Sequence, residues 1–324
     1  MYHTRVTRVE HTGRVTEAGV PIRPESAGNA VLGLAAVGLA GVLGRLPWSA
    51  LGRLGGLLGR GFEPISGRKR PRVRRNLVSA GVIDDRRTHR AIWSHIASTF
   101  LEILWCSSRG PEAALRHVEV EGIESLRKAA RAGRGVLLVS GHIGNWELVS
   151  LRAAREAIPI AVVARPMRTR RFERRVVAMR KRGGVHTILR GRPGSSVAAY
   201  RWLARGGMLG CIMDRASTGK RMLVPFLGNG TYLPLGPATL ACRTGAAVVL
   251  GTAKRLEDGT ARVRFSRLDT RGLAEPERLA WVIAAAIETA VREAPQQWLW
   301  IYRNQPDGPG GASGLVGSSN RIPA

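Results

Sequence analysis

The feature that most restricts the fold is a rhythm in the middle of the chain, where short apolar runs alternate with stretches of helical composition. GVLLVS (135–140), IAVVA (160–164) and MLGCIM (208–213) are too short for stable helices and lack the alternation of a strand wetted on one face. Unbroken runs of this kind suit parallel strands covered on both sides. VHTIL (185–189) reads as a further strand, and 145–156, 169–182 and 195–205 suit the helices between them. Outside this stretch, HVEVE (117–121), AAVVLG (246–251) and ARVRFS (261–266) read as strands and MLVPF (222–226) as extended chain. Helices are expected over 123–132, 236–244 and 275–293. Another runs from an Asp84-Asp85 cap to about Trp105, with a core stripe of Ile92, Ile96, Phe100, Ile103 and Leu104. The expectation is an α/β fold with a mostly parallel sheet flanked by helices. Sites in such sheets lie beyond the carboxyl ends of the strands, here at Ser140, Ala164, Leu189, Met213 and Gly251.

The N-terminal part has a different character. Residues 1–26 are polar and expected to be disordered, as is the Gly/Pro/Ser-rich tail 305–324. Residues 27–44 carry no charge, and a second apolar stretch, 46–59, is broken only by Arg53. The strongly apolar part, 30–43, is short of the roughly 20 residues of a spanning helix. A core helix is one reading. The preferred one is a membrane-associated helical segment over 27–60, either a marginal span or an in-plane anchor, with Trp48 as an interfacial aromatic. Residues 45–75 hold nine Lys/Arg against one Glu, which places the large domain, 61–304, at the cytoplasmic face of the plasma (inner) membrane.

Charge sets the class of partner. The chain has 51 Lys+Arg and 23 Asp+Glu, for a net charge of +28. Such an excess attracts anionic lipids, phosphorylated substrates or nucleic acid. A basic nucleic-acid-binding protein is therefore the alternative from another class, although no helix-turn-helix, zinc-finger or RNA-binding pattern is visible. Three cysteines without a CxxC pair argue against a disulfide framework and a structural zinc site, and no metal is expected. GxSxG, HExxH and GxxxxGK[ST] are absent, and no GxGxxG follows the first strong strand.

What remains is the end of the 135–140 strand, which runs into Gly141-His142-Ile143-Gly144-Asn145-Trp146-Glu147. On a regular helix an i, i+5 pair points about 140° apart. His142 and Glu147 therefore meet only if Gly144 turns the chain between them. If they meet, Glu147 orients His142 and stabilises its imidazolium, and the free ring nitrogen serves as a general base. A satisfied loop histidine is the bland alternative.

The segment SGHIGNWEL resembles the H-x4-[DE] signature of acyltransferases that act on lipid hydroxyls, in the form found in the lipid A biosynthesis acyltransferase family. Further blocks follow in order: Arg165-Pro166, Arg180 with Gly183-Gly184, Asp214, Val224 to Gly228, 238–247, and 295–303 with its QQWLWIYR sequence. RVRRNL (72–77) is similar to the family's basic N-terminal block. Two positions depart from the pattern and bear on the acceptor. Tyr302 stands where His is usual, and Arg215 follows Asp214 where Gln or His is frequent.

The resemblance implies a glycerolipid acyltransferase-like fold and an acyl transfer from a thioester to a glycolipid hydroxyl. The donor would be acyl carrier protein or coenzyme A, with no further cofactor; the acceptor would be lipid A-like or, alternatively, a phospholipid or phosphatidylinositol mannoside-type glycolipid. His142 and Glu147 would be catalytic. Arg165, Arg180, Asp214 and Asn145 would bind substrate, with Asp214 organising Arg180 or Arg165. Backbone amides near Gly144 or the Arg180 guanidinium would face the oxyanion. Residues 165–192, with eleven Lys/Arg and one Glu, would steer the anionic substrates.

Overall fold

The computed structural model describes residues 25–302, apart from 66, 68, 157 and 216–219, with the side chains of 64 and 65 also left aside. The expectations for the chain ends, 1–26 and 305–324, lie outside the described residues save for Glu25 and Ser26. In chain order, helices α1 (Ala27–Leu43), α2 (Trp48–Ile65), α3 (Arg70–Ser79), α4 (Arg86–Arg109) and α5 (Pro111–Leu115) precede β1 (Val118–Glu121) and α6 (Ile123–Arg131). The alternating part is β2 (Val136–Ser140), α7 (Trp146–Ala153), β3 (Ile160–Ala164), α8 (Arg170–Arg182), β4 (Val185–Leu189), α9 (Ser195–Ala204) and β5 (Met208–Ile212). A ribbon of β6 (Arg221–Phe226) and β7 (Asn229–Pro234) follows, then α10 (Gly236–Thr244), β8 (Ala247–Arg255), β9 (Ala261–Arg267), α11 (Pro276–Glu293) and a 3-10 turn (Pro295–Gln297).

The main sheet has the order β1-β9-β8-β2-β5-β3-β4. Strands β8, β2, β5, β3 and β4 run parallel; β9 returns antiparallel to β8 and carries β1 parallel to itself. The mostly parallel α/β architecture is thus as expected. The period-2 alternation of a strand divides the apolar residues between two cores. Leu137, Val139, Leu209 and Cys211 join α9, α10, α11 and the first half of α4 on one side. Val136, Leu138, Ile160 and Met208 join α5 to α8 and the end of α4 on the other. Because both faces are covered, these strands read as continuous apolar runs.

The apolar N-terminal segment is helical, and no helix among the described residues is long and apolar enough to cross a membrane. Some of its glycines serve packing within the molecule. A Cβ on Gly55 would stand 2.7 Å from the backbone of Ser98, and one on Gly59 would run into Ser94. Small residues spaced one turn apart let α2 lie almost backbone to backbone on α4. Trp48 is not an interfacial residue: it is 4% exposed, stacks on His117, and donates its indole N–H to the Gly259 carbonyl at 2.8 Å. Phe100 also departs from the expected core stripe, being 43% exposed while Ile92, Ile96, Ile103 and Leu104 are buried. The outward sides of α1 and α2 keep Val31, Leu32, Leu34, Val42, Leu57 and Phe62 exposed.

Candidate active site

Strands β2 and β5 are neighbours, with Ser140 opposite Ile212 at the end of their register. Extending both chains by two residues sets His142 beside Asp214. The Asp214 carboxylate is fully buried. One oxygen lies 2.7 Å from His142 Nδ1. The other accepts the His142 backbone N–H and the Trp298 indole N–H, each at 2.6 Å. Burial pushes the Asp214 carboxyl upward. The His142 charge and these hydrogen bonds outweigh it and hold the group below the usual carboxylate range. An ionised Asp214 accepts a proton-bearing Nδ1, which leaves the lone pair on Nε2. The His142 side chain is 16% exposed. Its ring is walled by Trp146 and Tyr302, each with centroids 4.9 Å away and steeply inclined.

This geometry corrects the role expected of Glu147. Gly144 does turn the chain, with φ +58°, and a side chain there would collide with the Ala253 carbonyl. The turn carries Glu147 away from His142. Both of its oxygens are taken by Arg180, at 2.8 Å from Nε and 2.6 Å from an Nη. Burial works against the Arg180 charge, and Glu147 more than restores it. The pair is almost wholly enclosed, with side chains 9% and 6% exposed. Arg180 is therefore neither organised by Asp214 nor directed at an oxyanion. The Gly144 amide is committed as well, to the Gln297 carbonyl at 2.9 Å.

Asn145, expected to bind substrate, is instead a buried fastening. Its side-chain oxygen caps α7 by accepting from the Glu147 amide, and its Nδ2 donates to Glu102 at 3.0 Å. Glu102 also accepts from Arg255 Nε at 2.6 Å, and Arg255 reaches His95 Nδ1 at 2.6 Å and Thr99 Oγ1 at 3.2 Å. Gln297 bonds both backbone groups of Arg255. Thus α4, the start of α7, the end of β8 and the 3-10 turn are tied together behind the His142 loop. The sequence carried no spacing signal for Glu102, His95 or Arg255, which come from distant elements.

Arg165, at the end of β3, is exposed. Arg190, at the end of β4, is held below the usual guanidinium value by its own partial burial and then by the Arg165 charge. Both follow strands whose carboxyl ends lie on the same sheet edge as His142. The two blocks at the chain's extremes also meet: Asn76 Nδ2 donates to the Trp300 and Tyr302 carbonyls, each at 2.8 Å. Burial and the Asp214 charge push the Tyr302 phenol up to about 12, against Arg215, so it stands beside His142 as a neutral wall.

With this arrangement established, comparison with known proteins gives it a family. The model of the bacterial lipid A biosynthesis acyltransferase family matches residues 28–304. The chain belongs to that family. It is 32% identical over 157 residues to a phosphatidylinositol mannoside acyltransferase of Mycolicibacterium smegmatis, covering 47% of this chain and 51% of that protein. A phosphatidylinositol mannoside acyltransferase of Mycobacterium tuberculosis H37Rv is 31% identical over 134 residues, 40% of this chain and 42% of its own. The chain therefore spans about half the length of these curated relatives or less. A lipid A biosynthesis palmitoleoyltransferase of Escherichia coli K12 is 26% identical over 288 residues, 84% of this chain and 90% of that protein. Family membership displaces the nucleic-acid alternative.

Proposed function

We propose that this acyltransferase-family member moves a fatty acyl chain from a thioester to a hydroxyl of a glycolipid, with His142 as general base and Asp214 as its orienting carboxylate. The observation that carries this reading is the 2.7 Å bond between His142 Nδ1 and a buried, ionised Asp214. It fixes the tautomer whose Nε2 can accept a proton. Nε2 takes the proton of the acceptor hydroxyl as that oxygen bonds to the thioester carbonyl carbon. The tetrahedral adduct then expels the thiolate, which takes the proton back from the imidazolium. No covalent enzyme intermediate is needed, because the thioester is already activated.

The donor is a thioester of acyl carrier protein or coenzyme A. Arg165, exposed on the same sheet edge, is the substrate-steering residue retained from the sequence. Two acceptors have support. The near full-length match to the Escherichia coli enzyme favours a lipid A-like glycolipid. The higher identity over half the chain favours a phosphatidylinositol mannoside-type acceptor. The protein works at the cytoplasmic face of the inner membrane, with the exposed apolar sides of α1 and α2 against lipid and Arg45, Arg53 and Arg60 toward anionic headgroups.

The test is an acyl-transfer assay with labelled acyl-coenzyme A or acyl carrier protein and a total lipid extract, comparing wild type with His142→Ala. The variant should lose about 10²–10⁴-fold in rate, and the labelled product names the acceptor. Equal labelling by both proteins would remove His142 from the mechanism.

A further inference from the structure

The two residues that depart from the family pattern lie together at the base. Arg215 follows Asp214 directly, and its guanidinium carbon sits 4.3 Å over the centre of the Tyr302 ring. That ring also lies against His142, with centroids 4.9 Å apart and planes inclined at 68°. Arg215 is exposed and forms no ion pair with a carboxylate among the described residues. Its neighbour Asp214 is committed to His142 and Trp298. Arg215 also hydrogen-bonds the Tyr302 hydroxyl, and a guanidinium has five N–H donors, so donors remain beyond that bond. The result is a positive fork with no carboxylate partner among the described residues, near the His142 imidazole that is paired with buried Asp214. Arg165 and Arg190 continue the positive edge beyond it, on the next two strands.

We propose that Arg215, seated on Tyr302, is a specificity-determining anion receptor that holds a phosphate of the glycolipid acceptor next to the hydroxyl that His142 deprotonates. It rests on the acyl-transfer function above and adds the chemistry of the substrate. Phosphate suits the site because guanidinium offers paired donors to two of its oxygens. The acceptor is the better source of that anion than the donor. In a phosphopantetheine thioester the phosphate stands at the far end of the arm from the reacting carbonyl. An arginine in the wall around His142 therefore meets whatever charge lies close to the attacking hydroxyl.

The experiment compares wild type, Arg215→Gln, Arg215→Lys and Tyr302→Phe on a phosphate-bearing glycolipid acceptor and on the same glycolipid with its phosphate removed. Each is run with acyl-coenzyme A and with an acyl-pantetheine thioester lacking phosphate. Arg215→Gln should raise KM for the phosphate-bearing acceptor about tenfold or more, leave kcat within a few-fold, and leave the phosphate-free acceptor unaffected. Arg215→Lys should recover part of the loss, and Tyr302→Phe, which keeps the ring but removes the hydroxyl that Arg215 bonds, should raise KM for the phosphate-bearing acceptor less than Arg215→Gln does. An equal effect on both acceptors overturns the proposal. A loss that follows the donor's phosphate overturns the assignment to the acceptor.

Binding of the phosphate-bearing glycolipid in detergent micelles, followed by tryptophan fluorescence, separates this proposal from the reaction itself. If wild type transfers no acyl group yet binds that lipid more tightly than Arg215→Gln does, the acyl-transfer reading fails and the receptor stands. If the two bind equally, the receptor fails.

Discussion

His142 and Glu147 are five residues apart and belong to one motif, but they inhabit two different charged centres. His142 sits at the open edge of the sheet, with a buried carboxylate behind one nitrogen and room in front of the other. Glu147 faces the interior, where both of its oxygens are consumed by Arg180. An ion pair that uses all its hydrogen-bonding capacity inside the protein has nothing left for a substrate. A pair that uses half of it is chemically poised. The acid of the motif therefore belongs to the architecture: it ties α7 to α8 and so fixes the loop that carries His142. The acid that addresses His142 comes from the end of the neighbouring strand.

The sharpest way to break this contrast is to exchange one atom of each carboxylate. Asp214→Asn would present an amide N–H to Nδ1, forcing the ring proton onto Nε2 and removing the lone pair that accepts the substrate proton. The expected loss in kcat is about 10²–10⁴-fold. Glu147→Gln keeps the shape of its side chain and does not touch His142, so kcat per folded molecule should fall less than tenfold. Parallel kinetics on the two variants decide between them. If Glu147→Gln is the more damaging to kcat in soundly folded protein, the roles are reversed.

The complementary test reads stability. Removing one member of a buried pair leaves the other charge stranded, at a typical cost of about 3–5 kcal/mol. Arg180→Met should therefore lower the unfolding free energy by about that amount. Adding Glu147→Gln to it should restore part of the loss, because no bare carboxylate remains. His142→Ala, at a partly open position, should move stability much less. Denaturant unfolding of the four proteins measures this directly; an Arg180→Met protein as stable as wild type would mean that the pair is not structural.

How much of this was legible in the sequence follows from the same contrast. The strands over 136–140, 160–164 and 208–212 show in the chain because cover on both faces leaves them almost wholly apolar, with Ser140 at the end of the first. The order of those strands does not show, because local pattern carries no information on which strand lies beside which. Asp214 could be recognised as the end of a strand, but its pairing with His142 depends on β5 lying next to β2. The nearer acid, Glu147, was the natural choice for lack of that neighbour relation. The glycines of α2 misled in a similar way. Gly55 and Gly59 look like part of an apolar, helix-weak segment until Ser94 and Ser98 are placed against them. β7 does not show in the sequence, because NGTYLP has neither a continuous nor an alternating apolar pattern.

The cluster behind the His142 loop extends the comparison to pH, with the smallest expected effect. Burial, and then the charge of Arg255, push His95 well below the ordinary imidazole value of 6.5. It stays neutral and accepts from Arg255, while Thr99 and Glu102 complete the shell. Unfolding frees this imidazole to bind a proton at its ordinary value. The unfolded chain therefore takes up more protons than the folded one as pH falls below about 6.5, and stability declines there by at most about 1.4 kcal/mol per pH unit from this group. Above that pH the contribution is fully present. His95→Gln can still accept from Arg255 but cannot titrate, so its stability should fall less steeply between the ordinary imidazole value and acid. Unfolding measured across that range compares the slopes. Equal slopes in wild type and variant would show that His95 is not the group whose protonation loosens the fastening behind the His142 loop.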